Sequence, residues 1–311
     1  MAADMSPYGT MALIREGRHT RFVLARYSVM NARTFPTMRM MQALAGRYQD
    51  ALEELERRHP PATELLFLQY DDRALHDVCS VAYGKRLGEA PAVRLIPDTY
   101  FFEHRGYEHT RARVRAGELP RWEECRDMVF WRGTATHDSS TFAGEPITEL
   151  EQIPRVAMCL ALRAEPRADA AVMSPWGGVR SPEEARAQYA AWGILRPKIP
   201  MLDHAQYRFL IDIDGVANAW GFFDKLLMGR CVLKVGTAYE QWFYGGIAPW
   251  EHFVPVQPDL SDLTEKLEWC FDNDDAAQTI AERGQSFAMA HSFDRAMEQG
   301  LAAMAECTLA V

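Results

Sequence analysis

Two acidic tips close apolar runs in this chain, and each could do chemistry. In YRFLIDIDG, residues 207–215, the tip is Asp212 and Asp214; in ATELLFLQYDD, residues 62–72, it is Asp71 and Asp72. Side chains alternate along a strand, so Asp212 and Asp214 share one face and could chelate a divalent ion together. Strand-end aspartates also cap helices and bond loop amides, so this spacing alone leaves a metal site, a cap and a loop anchor all open. Gly215 is more informative, because a residue without Cβ lets the backbone approach a ligand closely. A helix expected to begin near Val216 would add unpaired N–H groups and about half a positive charge, a setting for a diphosphate. Asp71 falls at a strand's carboxyl end, where α/β folds gather their ligands. Partial burial would raise its pKa and make it a base able to take a proton from a hydroxyl. Trp131, Trp220, Trp242 and Trp250 could stack on a sugar or simply fill core, and His252 could lie near a ligand or be held structurally. Glu103, His104 and His109 do not have the spacing of a metal-ligand motif.

The elements that must position these groups follow from the apolar pattern. Residues 11–30 read as two short strands around REGRH, a hairpin. A helix follows, with Met41, Leu44, Ala45, Tyr48, Leu52 and Leu55 at helical spacing, and the prolines of HPP end it. A strand then runs to Asp71. AVRLIPDTYFF, residues 92–102, is a second apolar stretch, charged helical sequence fills 103–127, and DMVFWRG is a strand. Residues 164–200 read as loops around one short helix. From 207 the alternation is regular: YRFLIDI strand, NAWGFFDKLLMG helix, CVLKV strand, HFVPV strand. A helix with Asp262 and Glu265 as a capping box and a further helix complete it. Such alternation implies parallel sheets in doubly wound α/β domains. The expected division is 1–125 and 126–311, with the last helix able to pack back on the first domain.

Composition narrows the class. A formal charge of −9 argues against binding a nucleic-acid backbone, which needs an excess of Lys and Arg. The first fifty residues differ, with Arg15, Arg18, Arg21, Arg26, Arg33, Arg39 and Arg47 forming either a solvated basic face or a surface for an anionic acceptor or membrane. The six cysteines are scattered without C-x-x-C spacing, which suits reduced thiols and no disulfide framework. No signal-peptide core and no run near the ~18 residues of a membrane span is present, so the expectation is a cytoplasmic protein, with peripheral contact to the inner membrane open to it.

Five motifs recur in order: FWRGT at 130–134, YRFLIDIDGVANAW at 207–220, KLLMGRCVLKV at 225–235, QWFYGGIAPWEHFVPVQPDLSDL at 241–263 and AERGQSFA at 281–288. Together they resemble glycosyltransferase family 90, the CAP10-like family of Rumi-type protein O-glucosyltransferases and bacterial lipopolysaccharide-modifying enzymes. The resemblance implies a GT-B fold, two Rossmann-like domains facing a cleft. It also implies an inverting, metal-independent transfer that needs no cofactor. The sugar, glucose or xylose, would pass from a UDP-sugar to a hydroxyl of a cell-surface glycan, lipopolysaccharide-type or lipid-linked saccharide acceptor. The family's catalytic carboxylate falls on Asp71, with Asp72 its neighbour. Donor contacts fall on Arg132, Gly133 and Thr134, and on Gly215, Val216, Ala217, Asn218, Ala219 and Trp220. Asp98, Tyr100 and Phe102 lie on the acceptor side. Where Rumi-type members place arginines near the diphosphate, this chain has Gly144 and Gly221 or Phe222, so another cation must serve. Arg155, Lys225, Lys234 and Arg132 are candidates. Arg155 ranks above Lys225, which would lie about two and a half turns into the helix. The missing arginines also motivate an alternative, a catalytically silent UDP-sugar-binding protein. An NAD-dependent epimerase fits poorly, since no G-x-G-x-x-G opens the chain.

Overall fold

The computed structural model describes strands 10–16, 19–24 and 62–68, and residues 80–310 apart from 89–90, 138–140, 177, 217 and 308. Asp71, Asp72, Ala217 and the expected helix after residue 38 lie outside the described residues. The chain groups into two compact units. One comprises Met1–Gly106, Ala238–Gly245 and His291–Val311; the other comprises Tyr107–Thr237 and Gly246–Ala290. The division expected at 125/126 differs from this grouping in three places: 238–245 and 291–311 group with the first unit, and 107–125 groups with the second. The helix within 107–125 is tied to the second unit by Thr110, which donates to Asp224, and by Arg111, which donates to the carbonyls of Ala288 and Met289.

In the first unit, β1 (Thr10–Glu16) pairs antiparallel with β2 (His19–Leu24), the hairpin expected from REGRH, and with β3 (Ala62–Leu68). β4 (Ser80–Ala82) and β6 (Val93–Leu95) extend the sheet parallel to β3, and the short β5 (Lys85–Arg86) stands apart. Past β6, α1 (Thr99–Glu103) buries Phe101, whose ring stacks on Phe293 at 6.2 Å and meets Trp242 edge-on at 5.0 Å.

The second unit opens with α2 (Glu108–Arg115), far shorter than the helical stretch expected over 103–127. Then come β7 (Arg126–Thr134), the two-stranded ribbon β8 (Thr141–Phe142) with β9 (Glu145–Pro146), α3 (Pro154–Leu162), β10 (Ala168–Ser174) and α4 (Pro182–Ala191). β11 (Tyr207–Asp212), α5 (Phe222–Leu227) and β12 (Cys231–Val235) follow. The chain visits the first unit through β13 (Tyr239–Glu240), which pairs with β5, and returns as β14 (Val254–Val256), α6 (Leu263–Asp272) and α7 (Asp274–Ala290). It ends in the first unit with α8 (Phe293–Glu306) and β15 (Leu309–Ala310), the latter on β3. β12 is buried along its whole length, as expected of a parallel strand covered on both faces. Among the described residues, no helix is long and apolar enough to cross a membrane.

Three expectations are corrected here. Residues 168–174 are a strand and not loop: ADAAVMS has few β-branched residues, but β7 supplies a parallel partner that overrides weak propensity. The capping box at Asp262 does not form, because its carboxylate turns back to accept from the Gln257 N–H at 2.8 Å. The thiols are not all free: Cys125, Cys159, Cys231 and Cys270 are buried thiols, whereas Cys307 is disulfide-bonded.

Candidate functional site

The second sheet runs β10-β7-β11-β12-β14, all parallel. In chain order that is second, first, third, fourth, fifth, so connections leave β7 and β11 in opposite directions. Open α/β sheets bind ligands at such a reversal, outside the carboxyl ends of the strands. Arg155 reaches this point from the second residue of α3. That helix starts at Pro154, where a missing N–H costs nothing, and anchors itself through buried Val156, Met158, Cys159 and Leu162. The guanidinium ties the two strand tips together. Nη1 donates to the Thr134 carbonyl at 2.9 Å and to Thr136 Oγ1 at 2.6 Å, Nη2 to the Ile213 carbonyl at 2.8 Å, and Nε to the Asp214 carbonyl at 3.0 Å. These partners are all neutral. Burial lowers the Arg155 pKa, with Asp214 and Asp212 pulling the other way.

The two aspartates behind it are already served by cations. Asp212 is fully buried, with Lys225 Nζ at 2.7 Å and Lys234 Nζ at 2.9 Å. Burial alone would raise its pKa, but the two ammonium groups outweigh it and hold the carboxyl below its ordinary value. Lys225 also donates to the Ile211 carbonyl at 2.9 Å, and burial lowers its own pKa against the pull of Asp212. Lys234 lies 2.9 Å from Asp214 as well, so its ammonium occupies the place between the carboxylates that a chelated ion would take. Asp214 further accepts from the Ala219 N–H at 2.9 Å and from the Thr237 hydroxyl. Three cations thus face two carboxylates in this cluster. The cation without a direct carboxylate partner there is Arg155, and a positive charge at a strand-tip crevice draws an anion.

Several expected donor residues converge on this edge. Thr134 ends β7, gives its carbonyl to Arg155 and shares a hydroxyl hydrogen bond of 3.0 Å with Ser174. Gly215 follows Asp214, but the reason for glycine differs from the expected one: a Cβ would collide with Thr136 Oγ1 and press on the Arg155 guanidinium at 3.0 Å. The helix expected from Val216 begins at Phe222, and the Ala219 N–H is committed to the Asp214 carboxylate instead of to a helix. In the loop between β11 and α5, Asn218 is 4% exposed, and neither its Nδ2 nor its Oδ1 has a partner. The carbonyl of Trp220 accepts from the Tyr107 hydroxyl at 3.0 Å.

Other candidates are engaged elsewhere. Arg132 pairs with Asp169 at 2.6 Å, its side chain only 4% exposed. Gly133 makes room for the Trp131 ring, which a Cβ would meet at 2.6 Å. Lys225 is committed to Asp212 inside the core, so its charge is not offered at the surface. In the first unit Asp98 is the N-cap of α1, accepting from the N–H groups of Tyr100 at 2.9 Å and Phe101 at 3.2 Å. Burial, against those bonds, pushes its pKa up to about 7. Phe102 is buried edge-on to Phe293 at 5.9 Å, whereas Tyr100 is exposed. His252 accepts from the Ala248 N–H through Nδ1 at 3.0 Å, a structural role. Thr136 and Thr237 were not singled out from sequence. The alternation of Thr134 and Thr136 at a strand end was the available signal for the first, and nothing local marks the second.

An all-parallel sheet flanked by helices, with a cation held at its topological switch point, has the architecture of an open α/β ligand-binding unit. Residues 103–295 match the model of Glycosyl transferase family 90, and the chain belongs to that family. Protein O-glucosyltransferase 1 of Rattus norvegicus is 40% identical over 93 residues, 30% of this chain and 24% of that protein. The O-glucosyltransferase rumi homolog of Aedes aegypti is 27% identical over 203 residues, 65% of this chain and 45% of that protein. The matched stretches therefore span less than half the length of these relatives. Among solved structures, Anabaena Alr3699/HepE in complex with UDP-glucose aligns with a TM-score of 0.43 and 14% identity, over 69% of this chain and 57% of that one.

Proposed function

We propose that this family member transfers a sugar, glucose or xylose, from a UDP-sugar to a hydroxyl of a cell-surface glycan or lipopolysaccharide-type acceptor. The observation that carries the reading is Arg155, a half-buried guanidinium whose hydrogen-bond partners at the β7/β11 switch are neutral. A donor diphosphate laid across this edge would meet that charge, and the neighbouring Asn218 amide offers a donor and an acceptor once the loop opens to ligand. In this reading the two α/β units are the Rossmann-like halves of a GT-B enzyme. Asp71, three residues beyond β3 in the sequence, takes the acceptor proton, and the sugar is transferred with inversion as UDP leaves. Relatives named O-glucosyltransferases support a hexosyl donor. The reaction is read as metal-independent because Lys225 and Lys234 already neutralise the Asp212 and Asp214 pair. The disulfide at Cys307 weighs against the cytoplasmic setting expected from sequence and favours an oxidising one.

Titration calorimetry with UDP, UDP-glucose and UDP-xylose, with and without Arg155→Ala, tests the reading. UDP binding that falls roughly 10–100-fold in folded Arg155→Ala is expected, the loss of hydrogen bonds between charged groups. No UDP binding by the wild-type chain would overturn the reading. Binding without hydrolysis of any UDP-sugar, with acceptors present, would establish the silent binding protein instead.

A further inference from the structure

Resting on the donor-site reading above, we propose that Thr237, acting through Asp214, is a positioning residue that fixes where Ala219, and with it Asn218, sits beside the donor. The Asp214 carboxylate receives three donors from three places in the chain. Ala219 N–H comes from the far end of the loop, Lys234 Nζ from inside β12, and the Thr237 hydroxyl from just beyond β12. Two described residues are anchored here: Gly215 leans on Thr136 and Arg155 at the β7/β11 seam, and Ala219 hangs from Asp214 at the β11/β12 seam. Between the two anchors lies Asn218, with its buried amide unmatched by protein groups.

The anchors differ in what else depends on them. Lys234 is shared with fully buried Asp212, so removing it strips a charge from the core as well as from the loop. Thr237 is partly exposed, and its bond to Asp214 is a hydroxyl donation to a carboxylate that is itself partly exposed. Replacing that hydroxyl by a methyl group keeps the side chain's shape and takes one donor from Asp214. Oδ2 then has lost its donor, the carboxylate is held through Oδ1 alone by Lys234 and the Ala219 N–H, and it can swing so that it no longer fixes Ala219. Thr110 provides a matched control. It is buried in the same unit and donates to the Asp224 carboxylate at 2.7 Å, on α2 and α5 and not on the loop.

The experiment compares wild type, Thr237→Val, Thr237→Ser and Thr110→Val by thermal unfolding and by calorimetric titration with UDP. The expected result is a loss of UDP affinity of roughly tenfold in Thr237→Val, the worth of one hydrogen bond to a charged group. Thr237→Ser should restore it, and Thr110→Val should lower Tm while binding UDP as wild type does. Equal UDP affinity in wild type and folded Thr237→Val would overturn the positioning role. So would an affinity loss in Thr110→Val matching that in Thr237→Val, since both would then follow stability alone. A wild-type chain that fails to bind UDP would sink the donor-site reading itself, an outcome separate from either of these.

Discussion

Lys234 places its ammonium 2.9 Å from Asp212 and 2.9 Å from Asp214, bridging the two carboxylates of the IDID segment. The pair that suggested metal chelation is thus an internal ion network. If UDP binding and turnover are measured in EDTA, they should match those in Mg²⁺ or Mn²⁺. A strict metal requirement would mean that the network opens to admit an ion.

The same network sets an acid limit. Asp212 has a folded-state pKa below its ordinary 3.8, so the unfolded chain binds the proton more readily. Its stabilisation is present above about pH 4 and is lost as pH falls through the depressed folded value. Asp212→Asn should cost about 3–5 kcal/mol at neutral pH, because it leaves buried ammonium groups uncompensated. Urea denaturation at neutral and acidic pH checks both statements, and a near-neutral substitution would mean the lysines find other partners.

Gly215 tests packing against ligand. A Cβ there collides with Thr136 Oγ1, so Gly215→Ala should destabilise by about 1–3 kcal/mol even without ligand. Removing the obstacle in Gly215→Ala with Thr136→Ala should recover part of that loss, a non-additivity expected of touching residues. Purely additive stabilities would remove the steric account.

Asp98 reverses the usual carboxylate trend. Its folded pKa of about 7 lies above the ordinary 3.8, so between those values the folded chain holds a proton that the unfolded chain releases. Its contribution to stability therefore falls as pH rises from about 4 to about 7. Asn is also a good N-cap, so Asp98→Asn should flatten that slope and raise Tm at pH 8, while Asp98→Ala loses the cap. An unchanged Tm–pH profile in Asp98→Asn would contradict the assignment.

Asp71→Asn should reduce sugar transfer roughly 10²–10⁴-fold with UDP affinity retained, the signature of a lost general base. Wild-type turnover in Asp71→Asn, with the loss seen in Asp72→Asn, would move the role by one residue.

What was legible in the sequence follows the physics of burial. YRFLID and CVLKV read as parallel strands because both are short, dense in apolar residues and buried over most of their length. ADAAVMS did not, since small side chains on an edge strand leave no periodic signal and the partner β7 decides. Gly215 was legible as a close approach but not as to what. The approaching groups are Thr136 first and then Arg155, both far earlier in the chain, and such pairing is set by topology. Asp262 likewise had two acceptable donors, the helix and Gln257, and local pattern cannot choose between them.

Two of the chain's five lysines have their ammonium groups enclosed, Lys225 with 9% and Lys234 with 4% of the side chain exposed. Lys198, by contrast, is exposed. Acylating reagents attack the free amine, and these two amines are charged, paired and out of reach. Mass-spectrometric labelling should therefore mark Lys198 in the native protein and reach Lys225 and Lys234 only when the β11/β12 region opens. The buried network doubles as a built-in reporter of that opening, readable without any engineered probe.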